Sequence, residues 1–175
     1  MVPYRPRPSK LVSIGAVPGD SQGPRLLLLA SYAAHMTSEN VSLVPVTEWA
    51  ALVPELMVHD LTFSLDIYTR VFGFILHYTR PGFAYLSLGP VQWMLEQVHE
   101  DKAWLTAPLE RPYGRGINFQ MVVPDLDGLH ARLLAEGYPL FRPMTTATYL
   151  EGETEHTQRQ VLVQDPDGYL LRFTD

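Results

Sequence analysis

The sequence contains no cysteine, which excludes disulfides, thiolate metal ligands and cysteine nucleophiles. No apolar run approaches the about 20 residues that a membrane-spanning helix needs. Lysine and arginine together number 13 against 19 aspartate and glutamate residues, so the formal net charge is −6. This balance argues against a nucleic-acid binder that is held by phosphate contacts. We therefore expect a cytoplasmic protein with neither a nucleic-acid partner nor a membrane partner.

The charge is distributed unevenly along the chain. Residues 1–35 hold four basic side chains and one acidic side chain, whereas residues 36–175 hold 9 basic and 18 acidic side chains. The larger part is therefore distinctly acidic. An acidic cleft would favour cationic ligands through its long-range field.

The N-terminal region is rich in residues that interrupt regular structure. Residues 1–35 contain five prolines and three glycines, which is too many for a core element. We interpret residues 1–50 as a largely disordered extension. Met36 is followed by an ordinary polar sequence, and one hypothesis is that it is the native start of the chain.

The pattern from residue 52 onward predicts a βαβββ module over residues 51–100. A strand is expected at 52–58, then a helix at 61–72 that Asp60 caps and Gly73 ends. Strands are expected at 74–79, 83–88 and 91–98, with Pro81-Gly82 and Gly89-Pro90 as the turns between them.

Residues 115–175 repeat this order after a linker at 101–114. Strands are expected at 116–123, 140–149, 159–164 and 169–174, and a helix from Asp125 to Glu136. The polar run that contains Glu151, Glu153, Glu155 and His156 is interpreted as a solvated loop. One such module cannot cover both faces of its sheet, so we expect the two modules to pack together.

Six segments carry a resemblance to a known superfamily: residues 53–60 (VPELMVHD), Tyr68 to Gly73-Phe74, 91–96 (VQWMLE), 116–120 (GINFQ), the helix after Asp125, and 164–173 (QDPDGYLLRF). The chain resembles the vicinal oxygen chelate superfamily of glyoxalases, bleomycin-resistance proteins and dioxygenases, and within it the bleomycin-resistance-like members. The resemblance implies an α+β fold. In it, paired βαβββ modules form a cupped eight-stranded mixed sheet with helices on the outside.

The resemblance also locates the positions where enzymes of the superfamily hold a divalent metal. Here these positions carry Val53, Asn118, Arg172 and Met94, with Glu96 as the alternative to Met94. Hard divalent cations prefer several carboxylate or imidazole ligands, and Arg172 would repel a cation. We therefore expect no metal and no other cofactor.

Strand alternation divides each predicted strand into an apolar face and a mixed face. By the register of the family, the mixed face is the concave one, where convergent polar groups among apolar ones are typical of a ligand site. The alternative is that this face is only the wet side of a sheet. The candidate ligand-binding residues, with aromatic residues of strands and linker, are Glu55, Met57, Phe83, Tyr85, Gln92, Glu96, Trp104, Tyr113, Asn118, Gln120, Tyr149 and Arg172. Trp93 is expected in the core.

Three functions remain open at this point. The first is a metal-independent binding protein that resembles bleomycin-resistance proteins, which sequester large cationic glycopeptides in clefts at a homodimer interface. We therefore expect a small cationic or aromatic ligand, a homodimer and no catalytic residue. The second is a lyase or dioxygenase of the same superfamily, for which a metal-free version could use Glu55 or Glu96 as a base. The third is a non-catalytic module with a vestigial pocket.

Overall fold

The computed structural model describes residues 48–99 and 105–175. The predicted extension up to residue 47, including Met36, lies outside these residues, as does Trp104. Within the described part, no helix is long and apolar enough to cross a membrane.

The first module has the predicted βαβββ order. Asp60 accepts a hydrogen bond from the backbone N–H of Phe63 and so caps the helix that follows. Gly73 ends that helix with a positive φ of 83°. The elements are β1 (Glu55–Val58), α1 (Leu61–Asp66) continued by a π-helical segment (Ile67–Val71), β2 (Ile75–Arg80), β3 (Phe83–Leu88) and β4 (Val91–Gln97).

The second module repeats the order with a longer hairpin. Asp125 accepts a hydrogen bond from the N–H of Gly128 at 2.8 Å and caps the helix, as Asp60 does in the first module. The elements are β5 (Asn118–Val122), α2 (Leu126–Ala135), β6 (Leu140–Glu151), β7 (Thr154–Gln164) and β8 (Leu170–Thr174).

The eight strands form two four-stranded mixed sheets with the same topology. The first sheet has the order β1-β4-β3-β2 and the second has the order β5-β8-β7-β6. In each sheet the opening strand pairs in parallel with the last strand of its module, and the other pairs are antiparallel. The predicted α+β class with paired βαβββ modules is confirmed.

The expected loop around Glu151, Glu155 and His156 is wrong. Glu151 ends β6, and Glu155 and His156 lie in β7, where they pair with Leu150 and Tyr149. Threonines are frequent on both strands, and β-branched side chains favour extended backbone. The acidic side chains are exposed to solvent, so the polarity of the segment concealed the outer end of the hairpin.

The opening strand is shorter than predicted. It begins at Glu55 rather than at residue 52. Pro54 directly precedes it and has no N–H to donate to a ladder, although its carbonyl accepts from the N–H of Met94.

The core lies where both helices pack against one face of each sheet. Phe72, at the end of the first helix, contacts Tyr138 and Phe173 of the second module. Trp93, only 2% exposed, contacts Phe119 with 4.8 Å between ring centroids. The core position that was expected for Trp93 is confirmed, and a single hydrophobic cluster joins the two modules.

The turn before β8 makes a polar connection between the modules. The carboxylate of Asp165 accepts from three backbone N–H groups of its own turn and from the hydroxyl of Tyr68 in the first module. Asp167 accepts from Arg111 and from the backbone N–H of His59. Both carboxylates are buried, and burial raises the pKa of Asp165 to about 6.

Candidate functional site

The face of the first sheet that points away from the helices carries two rows of side chains. Strand alternation places them there, and the strand pairing sets their order across the sheet. One row is Tyr78, Tyr85, Met94 and Glu55, and the next is Arg80, Phe83, Glu96 and Met57. The face thus combines aromatic rings, thioethers and carboxylates.

Three rings form what we call the aromatic shelf: Tyr78, Phe83 and Tyr85. The rings of Tyr78 and Tyr85 are stacked with a centroid distance of 5.6 Å and an interplanar angle of 5°. Tyr78 lies at the same distance from Phe83. Burial raises the pKa of the Tyr85 phenol above its ordinary value, so the hydroxyl stays protonated near neutral pH.

A buried carboxylate adjoins the shelf. Glu96 is 4% exposed and pairs across the strands with Phe83 and Met57. The guanidinium of Arg80 lies over the Phe83 ring, 4.1 Å from its centroid, and 3.9 Å from the carboxylate of Glu96. This part of the face therefore already holds one cation between a ring and a carboxylate.

Gln92 organises the other end of the shelf. Its Oε1 atom accepts from the Tyr85 hydroxyl and from the backbone N–H of Ala50. Its Nε2 atom donates to the backbone carbonyl of Glu48 at 2.6 Å. Trp49, between those two residues, meets Tyr85 edge to face with 4.7 Å between ring centroids. The segment Glu48–Ala50 thus lies against the shelf.

The corresponding face of the second sheet is more polar. Arg172 donates to the Tyr149 hydroxyl at 2.9 Å, and Gln120 donates to Gln158 at 3.3 Å. The Nε atom of Arg172 is buried without a hydrogen-bond partner in the described part of the chain. This face offers donors, whereas the first sheet offers rings and carboxylates.

A cavity of about 320 Å³ lies at the junction of the modules. Its polar lining comes from three of the predicted residues, Gln92, Asn118 and Gln120, and its apolar wall includes Leu52 and Phe119. Glu55, Glu96, Tyr149 and Arg172 are not part of its lining. The predicted residues on the two sheets therefore lie in three groups. One group lines the cavity, a second lies around the shelf, and Arg172 and Tyr149 form a third on the second sheet.

Tyr113 does not lie on a sheet face. It is buried in the hydrophobic cluster and contacts Tyr169 edge to face, with 6.1 Å between ring centroids. Its backbone N–H donates to the carbonyl of Asp167. It also lines a shallow cavity of about 220 Å³ with other linker residues.

Trp49, Tyr78 and Arg80 belong to the site but were not predicted. In β2 the register shifts between Leu76 and Tyr78, so simple alternation from Ile75 assigns Tyr78 and Arg80 to the opposite face. No pattern in the sequence marks this bulge. Trp49 was assigned to the extension, and its contact with Tyr85 joins residues far apart in the chain.

The residues at the metal positions of the superfamily do not fit a hard divalent cation. Val53 has no donor atom, Met94 offers only a thioether and Arg172 is itself cationic. Even with the Glu96 carboxylate in place of Met94, only one carboxylate and the amide oxygen of Asn118 remain. Across residues 48–99 and 105–175, no group of three or more His, Asp or Glu side chains is arranged to hold a metal ion. No step of a metal-dependent reaction can be derived from these residues.

The paired βαβββ modules assign the chain to a class of α+β proteins built from two such modules. Comparison with known families then identifies its superfamily. Residues 50–173 match the model of the Glyoxalase/Bleomycin resistance protein/Dioxygenase superfamily. The chain belongs to this superfamily. No curated protein is similar enough to match.

The chain is also similar to solved structures. TioX from Micromonospora sp. ML1 is 25% identical with a TM-score of 0.56, over 72% of this chain and 98% of TioX. A glyoxalase/bleomycin resistance protein/dioxygenase from Nocardioides is 23% identical with a TM-score of 0.53, over 87% of this chain and 92% of that chain. A superfamily member from Vibrio splendidus 12B01 is 36% identical with a TM-score of 0.33, over 70% and 95% of the two chains.

Proposed function

We propose that this protein is a metal-independent small-molecule binding protein of the bleomycin-resistance type, and that its ligand is a flat aromatic cation bound on the aromatic shelf. The observation that carries the proposal is the buried carboxylate of Glu96 opposite Phe83, with the guanidinium of Arg80 close to both. A negative charge in a buried position attracts a cation that approaches it.

Arg80 supports this choice of ligand. Its guanidinium is a flat cation that stacks on Phe83 and approaches Glu96. Its side chain is more than half exposed, so it can swing aside at low cost. A heteroaromatic cation would take the place of the guanidinium on the Phe83 ring, which Arg80 covers.

The donor set at the metal positions supports binding rather than metal-assisted chemistry. A lyase or dioxygenase of this superfamily would need ligands that Val53, Met94 and Arg172 do not provide. We extend the proposal to a homodimer that sequesters a drug-like ligand, as the resemblance to bleomycin-resistance proteins suggests. Elemental analysis of the purified protein tests the enzymatic alternative, which requires a near-stoichiometric transition metal.

Calorimetric titration of chelator-treated protein tests the proposed function. The ligands are bleomycin and proflavine, a flat heteroaromatic cation. We expect saturable binding of at least one of them, and a loss of about tenfold or more in affinity for Phe83→Ala. Phe141→Ala, which truncates an exposed ring of the second module, is the matched control and should bind as the wild type does. No heat above dilution with either ligand at millimolar concentration would refute the proposal.

A further inference from the structure

The segment Glu48–Ala50, which we call the strap, binds the shelf in the way that a ligand would. The carboxamide of Gln92 forms two hydrogen bonds with the backbone of the strap. It accepts from the N–H of Ala50 and donates to the carbonyl of Glu48. This is the donor and acceptor pair that a neighbouring β-strand would offer. The indole of Trp49 adds an aromatic contact to Tyr85.

The strap covers the part of the shelf that an aromatic ligand needs. Tyr85 has no exposed surface, although it lies on the sheet face that points away from the helices. Its ring stacks on Tyr78 and meets the indole of Trp49 at a steep angle, with 4.7 Å between the ring centroids of Trp49 and Tyr85. Because Tyr85 has no exposed surface in this arrangement, a flat ligand can reach its ring only when a contact such as that of Trp49 is released.

The contacts of the strap are few and lie near solvent. Trp49 remains 60% exposed, so little apolar surface is buried by holding it in place. The two backbone hydrogen bonds end on one side chain, and hydrogen bonds near solvent open locally at low cost. The strap is therefore held weakly enough for a ligand to displace it.

We propose that the strap is an intramolecular competitor of the ligand, so that the shelf binds an aromatic cation only after Trp49 and Ala50 have left Tyr85 and Gln92. The proposal rests on the proposed function, because it concerns the regulation of the same site. The apparent affinity of the ligand is the intrinsic affinity reduced by the fraction of molecules with an open strap. Variants that weaken the strap should therefore bind the ligand more tightly.

The first experiment needs no ligand. Amide hydrogen exchange measured by NMR reports whether the Ala50 N–H is held by Gln92. We expect its protection factor to fall by about tenfold in Trp49→Ala, because the anchor of the strap is gone. Phe63→Ala, which truncates an exposed aromatic ring on the first helix, should leave the protection unchanged. An Ala50 amide that exchanges as an unprotected peptide in the wild-type protein would refute the strap, whatever the ligand does.

The second experiment measures the fluorescence anisotropy of proflavine with four proteins. Trp49→Ala removes the ring contact and Ala50→Pro removes the N–H donor, and each should bind about five- to tenfold more tightly than the wild type. Trp49→Phe keeps an aromatic contact and should bind with nearly the affinity of the wild type. Trp49→Ala and Ala50→Pro weaken the strap in different ways. Tighter binding by both variants would therefore indicate displacement of the strap rather than a new contact made by one variant.

The outcomes distinguish the strap from the proposed function. Equal affinity of the wild type, Trp49→Ala and Ala50→Pro would overturn the strap and leave the binding function intact. Weaker binding by Trp49→Ala would also overturn it, because Trp49 would then belong to the ligand site. Absence of binding by the wild type and by both strap variants would overturn the proposed function itself.

Discussion

The hydroxyl of Tyr68 donates to Asp165 Oδ2 at 3.0 Å and so ties the helix of the first module to the last turn of the second. Both residues are buried. Burial and the nearby carboxylate raise the pKa of Tyr68 well above its ordinary value, so the phenol remains the donor throughout the accessible pH range. The hydrogen bond is a polar contact inside an otherwise apolar junction.

Removal of this hydroxyl should destabilise the fold. Tyr68→Phe leaves the carboxylate of Asp165 with its backbone donors only, and we expect a loss of about 1–3 kcal/mol in the free energy of unfolding. Urea denaturation followed by circular dichroism measures it. Tyr78→Phe removes a hydroxyl from a partly exposed ring and should change stability by less than about 0.5 kcal/mol. Equal stabilities of Tyr68→Phe and wild type would contradict the role of this contact.

Asp165 should make the stability depend on pH. Burial raises its pKa in the folded protein to about 6, against about 3.9 for an unfolded chain. The pKa is higher in the folded than in the unfolded protein, so protonation of Asp165 stabilises the fold. This stabilisation is complete below pH 4 and is lost as the pH rises through 6. The difference in unfolding free energy between wild type and Asp165→Asn should therefore fall by about 3 kcal/mol between pH 4 and pH 7.5. A pH-independent difference would show that the carboxyl titrates normally.

The contact between Arg111 and Asp167 should show energetic coupling. Arg111 donates to Asp167 at 2.6 Å, and the carboxylate is buried whereas the guanidinium is half exposed. Arg111→Ala leaves a buried charge with fewer donors and should cost about 1–3 kcal/mol. Asp167→Asn removes that charge, so the cost of Arg111→Ala should become smaller in its background. Additive effects in this double-mutant cycle would argue against the coupling. Arg142→Ala, which truncates an exposed arginine of β6, is the control and should cost little.

Glu96 should determine the preference for cations. Glu96→Gln keeps the shape of the side chain but removes its charge, so we expect proflavine to bind about tenfold more weakly and with less dependence on salt. Binding curves at two salt concentrations test this. The matched control is Glu153→Gln, an exposed carboxylate at the tip of the β6–β7 hairpin, which should have no effect. If Glu96→Gln bound proflavine as the wild type does, the ligand would be recognised by its rings alone.

Most of the fold follows from local sequence signals. Asp60 and Asp125 cap the two helices and Gly73 ends the first, as predicted. These signals are local because each depends on residues a few positions apart. The outer end of the β6–β7 hairpin was missed, because charged side chains around Glu155 concealed a pattern that threonine favours.

The site was harder to predict because it depends on contacts between distant residues. Alternation put Phe83 and Tyr85 on the same side of their strand and Glu96 on the mixed face of the next strand. The strand pairing of the structure brings them to one face. It could not place Tyr78, because the bulge in β2 is not encoded in any local pattern. Nor could it show that Gln92 holds Ala50, since that contact spans 42 residues.

Mapping the bound ligand by NMR tests the central claim most directly. Proflavine is added to chelator-treated protein, and shifts are followed for the methyl groups of Met57, Met94 and the alanines and for the tyrosine rings. We expect saturable shifts at Tyr78 and Tyr85 of the shelf and at Met94 and Ala50 beside it. Shifts confined to the second sheet around Tyr149, or binding that appears only after a divalent metal is added, would contradict a metal-independent site on the first sheet.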